Sequence, residues 1–142
     1  MAVTKISQTH GVVLKQQASF YLTKAWGNTE QNDFVNTVIE IETVMQPKKL
    51  LNILQKIEKN MGRSKTEKWG PRLIDIDILL FGNIVVNQPH LTIPHPFITE
   101  RSFVIAPLYE LNHKLTIPNE GDLSQFINQK TFKKEIVDCY VL

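Results

Sequence analysis

Between Leu73 and Phe81 the chain alternates Ile74, Ile76 and Ile78 with Asp75 and Asp77. Successive strand residues point to opposite faces. The pattern therefore predicts a strand over 73–81 with its isoleucines in a core and both carboxylates on the other side. "GVVLKQQASFY" (11–21) reads as an earlier strand. "FVNTVIEIET" (34–43) alternates too, with Val35, Thr37, Ile39 and Ile41 on one side and Phe34, Asn36, Val38 and Glu40 on the other. Helical spacing takes over in "QPKKLLNILQKIEKNMG". There Leu50, Leu54, Ile57 and Met61 form one stripe, Pro47 suits the first turn and Gly62 the C-terminal cap.

Polar and Pro-punctuated stretches separate these elements. "KAWGNTEQND" (24–33) and the basic "RSKTEK" (63–68) predict loops, and "FGNIVV" a turn into a second, shorter strand. "NQPHLTIPHPF" reads as irregular chain. From Thr99 a helix is expected with Phe103, Leu108 and Leu111 inward, although Pro107 lies inside it. In the tail, "LSQFINQ" predicts a short helix. Strands and helices mix without βαβα regularity, which favours an α+β fold over a doubly wound sheet. No repeat or linker divides the chain, so residues 1–142 read as a single domain.

Composition narrows the function classes. At 142 residues, 42% hydrophobic and 21% charged, the chain can bury one core. A net charge of +2 is too small to point to nucleic acid. No apolar run reaches the roughly 18 residues of a membrane span, and "MAVTKISQTH" lacks the apolar stretch of a secretory signal. A lone cysteine, Cys139, excludes an intrachain disulfide framework and reads as a structural or surface thiol. These features predict a cytoplasmic single domain with no nucleic-acid or membrane partner.

Two carboxylates side by side on one strand face repel unless something positive sits between them. Oxygen-only ligands suit Mg²⁺, which takes one or two carboxylates and completes its octahedron with water and phosphate oxygens. An exposed strand face carrying two solvated acids gives the same D-x-D. The surroundings favour the metal: Arg63, Lys65, Lys68, Trp69 and Arg72 lie just upstream, as an anionic polyphosphate bridged by Mg²⁺ requires. There is no Gly-rich P-loop, so another scaffold must hold any nucleotide. His95 and Arg101, after two prolines, read either as phosphate contacts or as surface residues of an irregular loop. Phe34 and Asn36 share a strand face. They could stack on and pair with a flat heterocycle, or Phe34 could simply be core.

The segments "FVNTVIEIET", "IEKNMGR", "KWGPRLIDIDILLFGN" and "LTIPHPFITERSFVIAPLYEL" together resemble the 6-hydroxymethyl-7,8-dihydropterin pyrophosphokinase family, over about residues 11–118. The resemblance implies a ferredoxin-like α+β fold with helices on one face of the sheet and mobile catalytic loops. It implies transfer of pyrophosphate from ATP, the co-substrate, to the pterin hydroxymethyl group in folate biosynthesis, leaving AMP. Asp75 and Asp77 would then hold two Mg²⁺ ions, and Arg63, Trp69 and Arg72 would belong to a catalytic loop closing over ATP. Glu58, Ile78, Thr92, His95 and Arg101 match nucleotide-contact positions. Phe34 and Phe103 would sandwich the pterin, with Asn36 and the backbone around Thr23 at its edge.

The chain departs from the family pattern in places. "KAWGN" stands where a "PPLG"-like stretch is usual, Pro96 follows His95 where an aromatic is common, and His90 replaces a basic residue. "GRSKTEKW" is one residue shorter than in some relatives. "MAVTKISQTHG" matches the chain within or after the family's first helix, so the preceding strand and "GSNL"-like turn have no counterpart. Two rival readings follow. One is a homologue that binds Mg-ATP without catalysis, and the other a ferredoxin-like module for RNA or a small regulator.

Overall fold

The computed structural model describes residues 2–23, 34–61, 74–127 and 136–140. In these segments helices and short antiparallel strands mix, as the α+β expectation requires. Helix α1 (Ala2–Ser7) leads through Gly11 into β1 (Val12–Gln17), followed by β2 (Phe20–Thr23). Gly11 has φ of +85°, and a Cβ there would meet the Met45 side chain at 3.1 Å. Next come β3 (Phe34–Asn36), β4 (Ile39–Thr43) and α2 (Pro47–Asn60). Hairpin β5 (Val86–Gln88) and β6 (Leu91–Ile93) precedes α3 (Ser102–Leu111). The small ladder β7 (Thr116–Ile117) and β8 (Gly121–Asp122), a 3₁₀ turn (Leu123–Phe126) and β9 (Ile136–Tyr140) complete the order.

Two predicted long strands are each broken, and at facing positions. β1 pairs antiparallel with β4, whereas β2 lies between β3 and β9 in a separate three-stranded sheet. The chain changes sheets at Ala18–Ser19 and again at Thr37–Val38. There the Ala18 N–H donates to the Val38 carbonyl at 2.9 Å, and the Thr37 hydroxyl donates to the Ala18 carbonyl at 3.0 Å. Two crossings bonded to each other keep the backbone groups satisfied where the ladders stop.

α2 matches its predicted stripe at Leu50 and Leu54, but the same inner face also buries Glu58. The stretch read as irregular is in part the β5–β6 hairpin, its Leu91 and Ile93 buried beside exposed Thr92. Pro89 falls in its turn, where a missing N–H does no harm. α3 forms across Pro107, whose ring is itself buried.

The segment 74–81 corrects the sequence reading: it is not a ladder-forming strand. Its side chains nonetheless alternate, with Asp75 and Asp77 exposed, Ile74 and Ile76 half-buried and Ile78 buried. Helix α2 and a loop fix it instead. The Ile76 N–H donates to the Glu58 carboxylate at 2.6 Å, and the His95 N–H donates to the Leu79 carbonyl at 2.9 Å.

Two apolar clusters result. One gathers Ile6, Val12, Leu50, Leu54, Ile78, Leu91 and Ile93, with Ile76 and Phe81 packed against it. The other gathers Ile98, Val104, Ile105, Leu108, Ile117 and Leu123, with Val38, Leu79, Leu80 and Phe103 at its edge. The 74–81 segment contributes to both, so its carboxylates stand where the clusters meet. Among the described residues no helix is long and apolar enough to cross a membrane.

Candidate functional site

A groove opens at this junction. Asp75, Asp77 and Leu79 form one wall, and Asn36, Thr37 and Val38 from the sheet crossing form another. His95 and Arg101, with Phe103 and Val104 at the start of α3, close it. Three clusters far apart in sequence thus meet in one place: the paired aspartates, the His/Arg pair, and an amide with an aromatic ring. The positive end of the α3 macrodipole lies at the groove and adds to its attraction for anions.

Each side chain is held for a local reason. Asp75 and Asp77 share the exposed side because Ile76 and Ile78 are drawn into the first cluster, each worth about 1.5–3 kcal/mol when fully buried. His95 Nδ1 accepts the Phe97 N–H at 3.2 Å, so the neutral ring carries its proton on Nε2. That atom lies 3.9 Å from Asp77 Oδ2. Partial burial pushes the His95 pKa down; Asp77 opposes the shift and Arg101 adds to it, leaving it below the ordinary value. His95 therefore faces the groove as a neutral N–H donor at physiological pH.

Two rings approach Arg101. Its guanidinium carbon is 4.8 Å from the Phe97 ring centre and 5.6 Å from that of Phe103. Phe103 is half-buried, with one part packed on the second cluster and another facing the groove. Asn36 sits opposite Tyr21 in the β2–β3 ladder, and Thr23 pairs with Phe34 at its end, so backbone register places the four together.

Not every expected residue lines the groove. Glu58 is buried and bonds the Ile76 amide from behind, Ile78 is core, and Thr92 is exposed on the β5–β6 hairpin. Arg63, Trp69 and Arg72 lie outside the described residues. Conversely, the sequence reading missed Thr37, Leu79 and Phe97. It also missed Glu110, whose carboxylate accepts hydrogen bonds from the Tyr21 hydroxyl at 2.7 Å, the Ser19 N–H at 2.8 Å and the Ser19 hydroxyl at 3.1 Å. No sequence pattern signals that contact across about ninety residues.

Among the described residues no three His, Cys, Asp or Glu side chains gather as a metal cage. Two exposed carboxylates on a shared groove wall fit Mg²⁺ rather than zinc: hard oxygen donors, few of them, with room for substrate oxygens and water.

Comparison with known proteins gives the same direction. Residues 1–113 match the family described as 7,8-dihydro-6-hydroxymethylpterin-pyrophosphokinase. Three relatives carry the name 2-amino-4-hydroxy-6-hydroxymethyldihydropteridine pyrophosphokinase. That of Haemophilus influenzae is 42% identical over 128 residues, covering 90% of this chain and 78% of the relative. That of Methylorubrum extorquens is 38% identical, covering 84% and 75%. That of Aquifex aeolicus is 38% identical, covering 84% and 76%.

Proposed function

Since the chain belongs to the 7,8-dihydro-6-hydroxymethylpterin-pyrophosphokinase family, we infer that it transfers pyrophosphate from ATP to the hydroxymethyl group of 6-hydroxymethyl-7,8-dihydropterin in folate biosynthesis. The substrate hydroxyl oxygen bonds to the β-phosphorus and loses its proton. The bond from that phosphorus to the oxygen shared with the α-phosphate breaks, and AMP leaves. Its substrates are small molecules, and we take the working protein to be a cytoplasmic monomer.

The observation that carries this reading is the convergence of Asn36 and Phe103 with Asp75, Asp77, His95 and Arg101 around one groove. Phosphoryl-type transfer needs little covalent help from a protein; it needs in-line positioning and neutralised phosphate charge. In our reading Phe103, with Phe34, stacks on the pterin ring, while Asn36 and the backbone at Thr23 bond its edge. Asp75 and Asp77 hold Mg²⁺, two ions by family resemblance, which when bound offsets charge on the ATP phosphates. The His95 Nε2–H and the Arg101 guanidinium meet phosphate oxygens from the facing wall. Glu58, Ile78 and Thr92 enter as nucleotide-side positions of the fold. By the family resemblance, Arg63 and Arg72 would complete the charge balance on the phosphates and Trp69 would help exclude water.

We also take the finer fold to be ferredoxin-like. Antiparallel β1 and β4, helix α2 behind them, and the alternating 74–81 segment supply parts of that arrangement.

The test is turnover with ATP, Mg²⁺ and 6-hydroxymethyl-7,8-dihydropterin, followed by phosphorus NMR. AMP is expected only when the pterin is present. Mg-ATP binding without AMP formation would sink the catalytic reading.

A further inference from the structure

The segment "HPFITER" (95–101) folds back on itself at the rim of the groove. The Ile98 N–H donates to the His95 carbonyl and the Glu100 N–H to the Phe97 carbonyl, each at 3.1 Å. Ile98, 2% exposed, anchors this turn in the second cluster. Phe97 does not share that burial: it stays 46% exposed, an apolar ring with no core to enter. Its neighbours account for its position. Its N–H fixes the His95 ring, and its face lies 4.8 Å from the Arg101 guanidinium, whose other neighbour is Phe103 at 5.6 Å.

A guanidinium set over a ring face can still offer its N–H groups to an anion. We propose that Phe97 is a positioning residue for nucleotide binding: its ring holds the Arg101 guanidinium edge-on to the groove, where it meets the phosphates of Mg-ATP. The inference rests on the nucleotide-side role read above for Arg101 and extends it to a residue that touches no substrate. Attraction between a cation and a ring face at a partly exposed site corresponds to about two- to fivefold in affinity.

Isothermal titration with Mg-ATP, without pterin so that nothing turns over, separates the possibilities. Phe97→Ala and Phe97→Leu are both expected to weaken binding about two- to fivefold, and Phe97→Tyr to restore it, with melting temperatures unchanged. In an Arg101→Ala background, Phe97→Ala should add nothing, because the two act as one unit. The KM for pterin should stay at its wild-type value. Tight binding by Phe97→Leu would overturn the proposal, since an apolar plug would then suffice, and so would full additivity with Arg101→Ala. If the wild-type chain itself fails to bind Mg-ATP, the nucleotide reading falls and this inference with it. Wild-type binding with unaffected Phe97 variants removes this inference alone.

Discussion

The Glu58 carboxylate accepts the Ile76 amide hydrogen at 2.6 Å, so a helix side chain occupies the place a neighbouring strand would fill. The contact lies one residue from each candidate metal ligand. Glu58→Ala leaves a buried donor without this partner and is expected to lower stability by about 1–3 kcal/mol. It should also raise the KM for Mg-ATP, because Asp75 and Asp77 lose their mooring. A calorimetric melt alongside steady-state kinetics checks both. A change in melting temperature with unaltered kinetics would show that the anchor is structural only.

Asp77 presents the opposite case, an exposed carboxylate whose loss leaves no hole. Asp77→Ala is expected to abolish turnover while the melting temperature stays within a few degrees of wild type. Near-normal turnover in a folded sample would remove the metal-ligand role. Asp77→Asn, equal in size but uncharged, should fare no better.

Glu110 ties α3 to the β2 strand and offers a pH test. Burial pushes its pKa up, but the hydrogen bonds from Tyr21 and Ser19 outweigh that and hold it below the ordinary value of about 4.5. A carboxyl lowered on folding contributes stability that is fully present above its unfolded pKa and is lost as pH falls through the folded one. Melting temperature should therefore fall more steeply below about pH 4.5 in wild type than in Glu110→Gln. Equal slopes would mean that Glu110 contributes nothing to the acid limb. Near neutral pH, Glu110→Ala should lower the melting temperature by roughly 3–8 °C.

Asn36 stands at the end of β3, where the chain leaves its ladder. Asn36→Ala removes one donor and one acceptor from the groove and should raise the pterin KM about three- to tenfold, the worth of about one hydrogen bond. The ATP KM should be untouched, which kinetics at saturating ATP will show. A matching rise in both constants would place Asn36 outside the pterin side.

Much of the site was legible because its signals are local. The Ile/Asp alternation at 74–78 foretold which side chains enter the core, and Leu50 with Leu54 foretold the face of α2. What escaped depends on distant partners. The break at Thr37–Val38 exists because Ala18 bonds across it, and nothing within 34–43 announces that. Glu58 was expected at the nucleotide by resemblance, yet its place on the helix turns it inward to an amide eighteen residues on. The turn and short strand announced by "FGNIVV" are there as β5, but its partner β6 was hidden by Pro89 and Pro94, although Leu91 and Ile93 carry the apolar alternation of a strand. Tyr21 and Glu110 meet only once α3 has docked.

The position of the groove between two apolar clusters has a thermodynamic consequence. A ligand that touches Asn36, Asp77 and Phe103 together bridges three segments far apart in the chain, so occupancy and cohesion become a single equilibrium. At a ligand concentration one hundred times its dissociation constant, mass action adds about 2.7 kcal/mol to the folded state. That corresponds to roughly 5–10 °C in melting temperature for a chain of this size. Folding itself then reports the substrate, with no chemistry required.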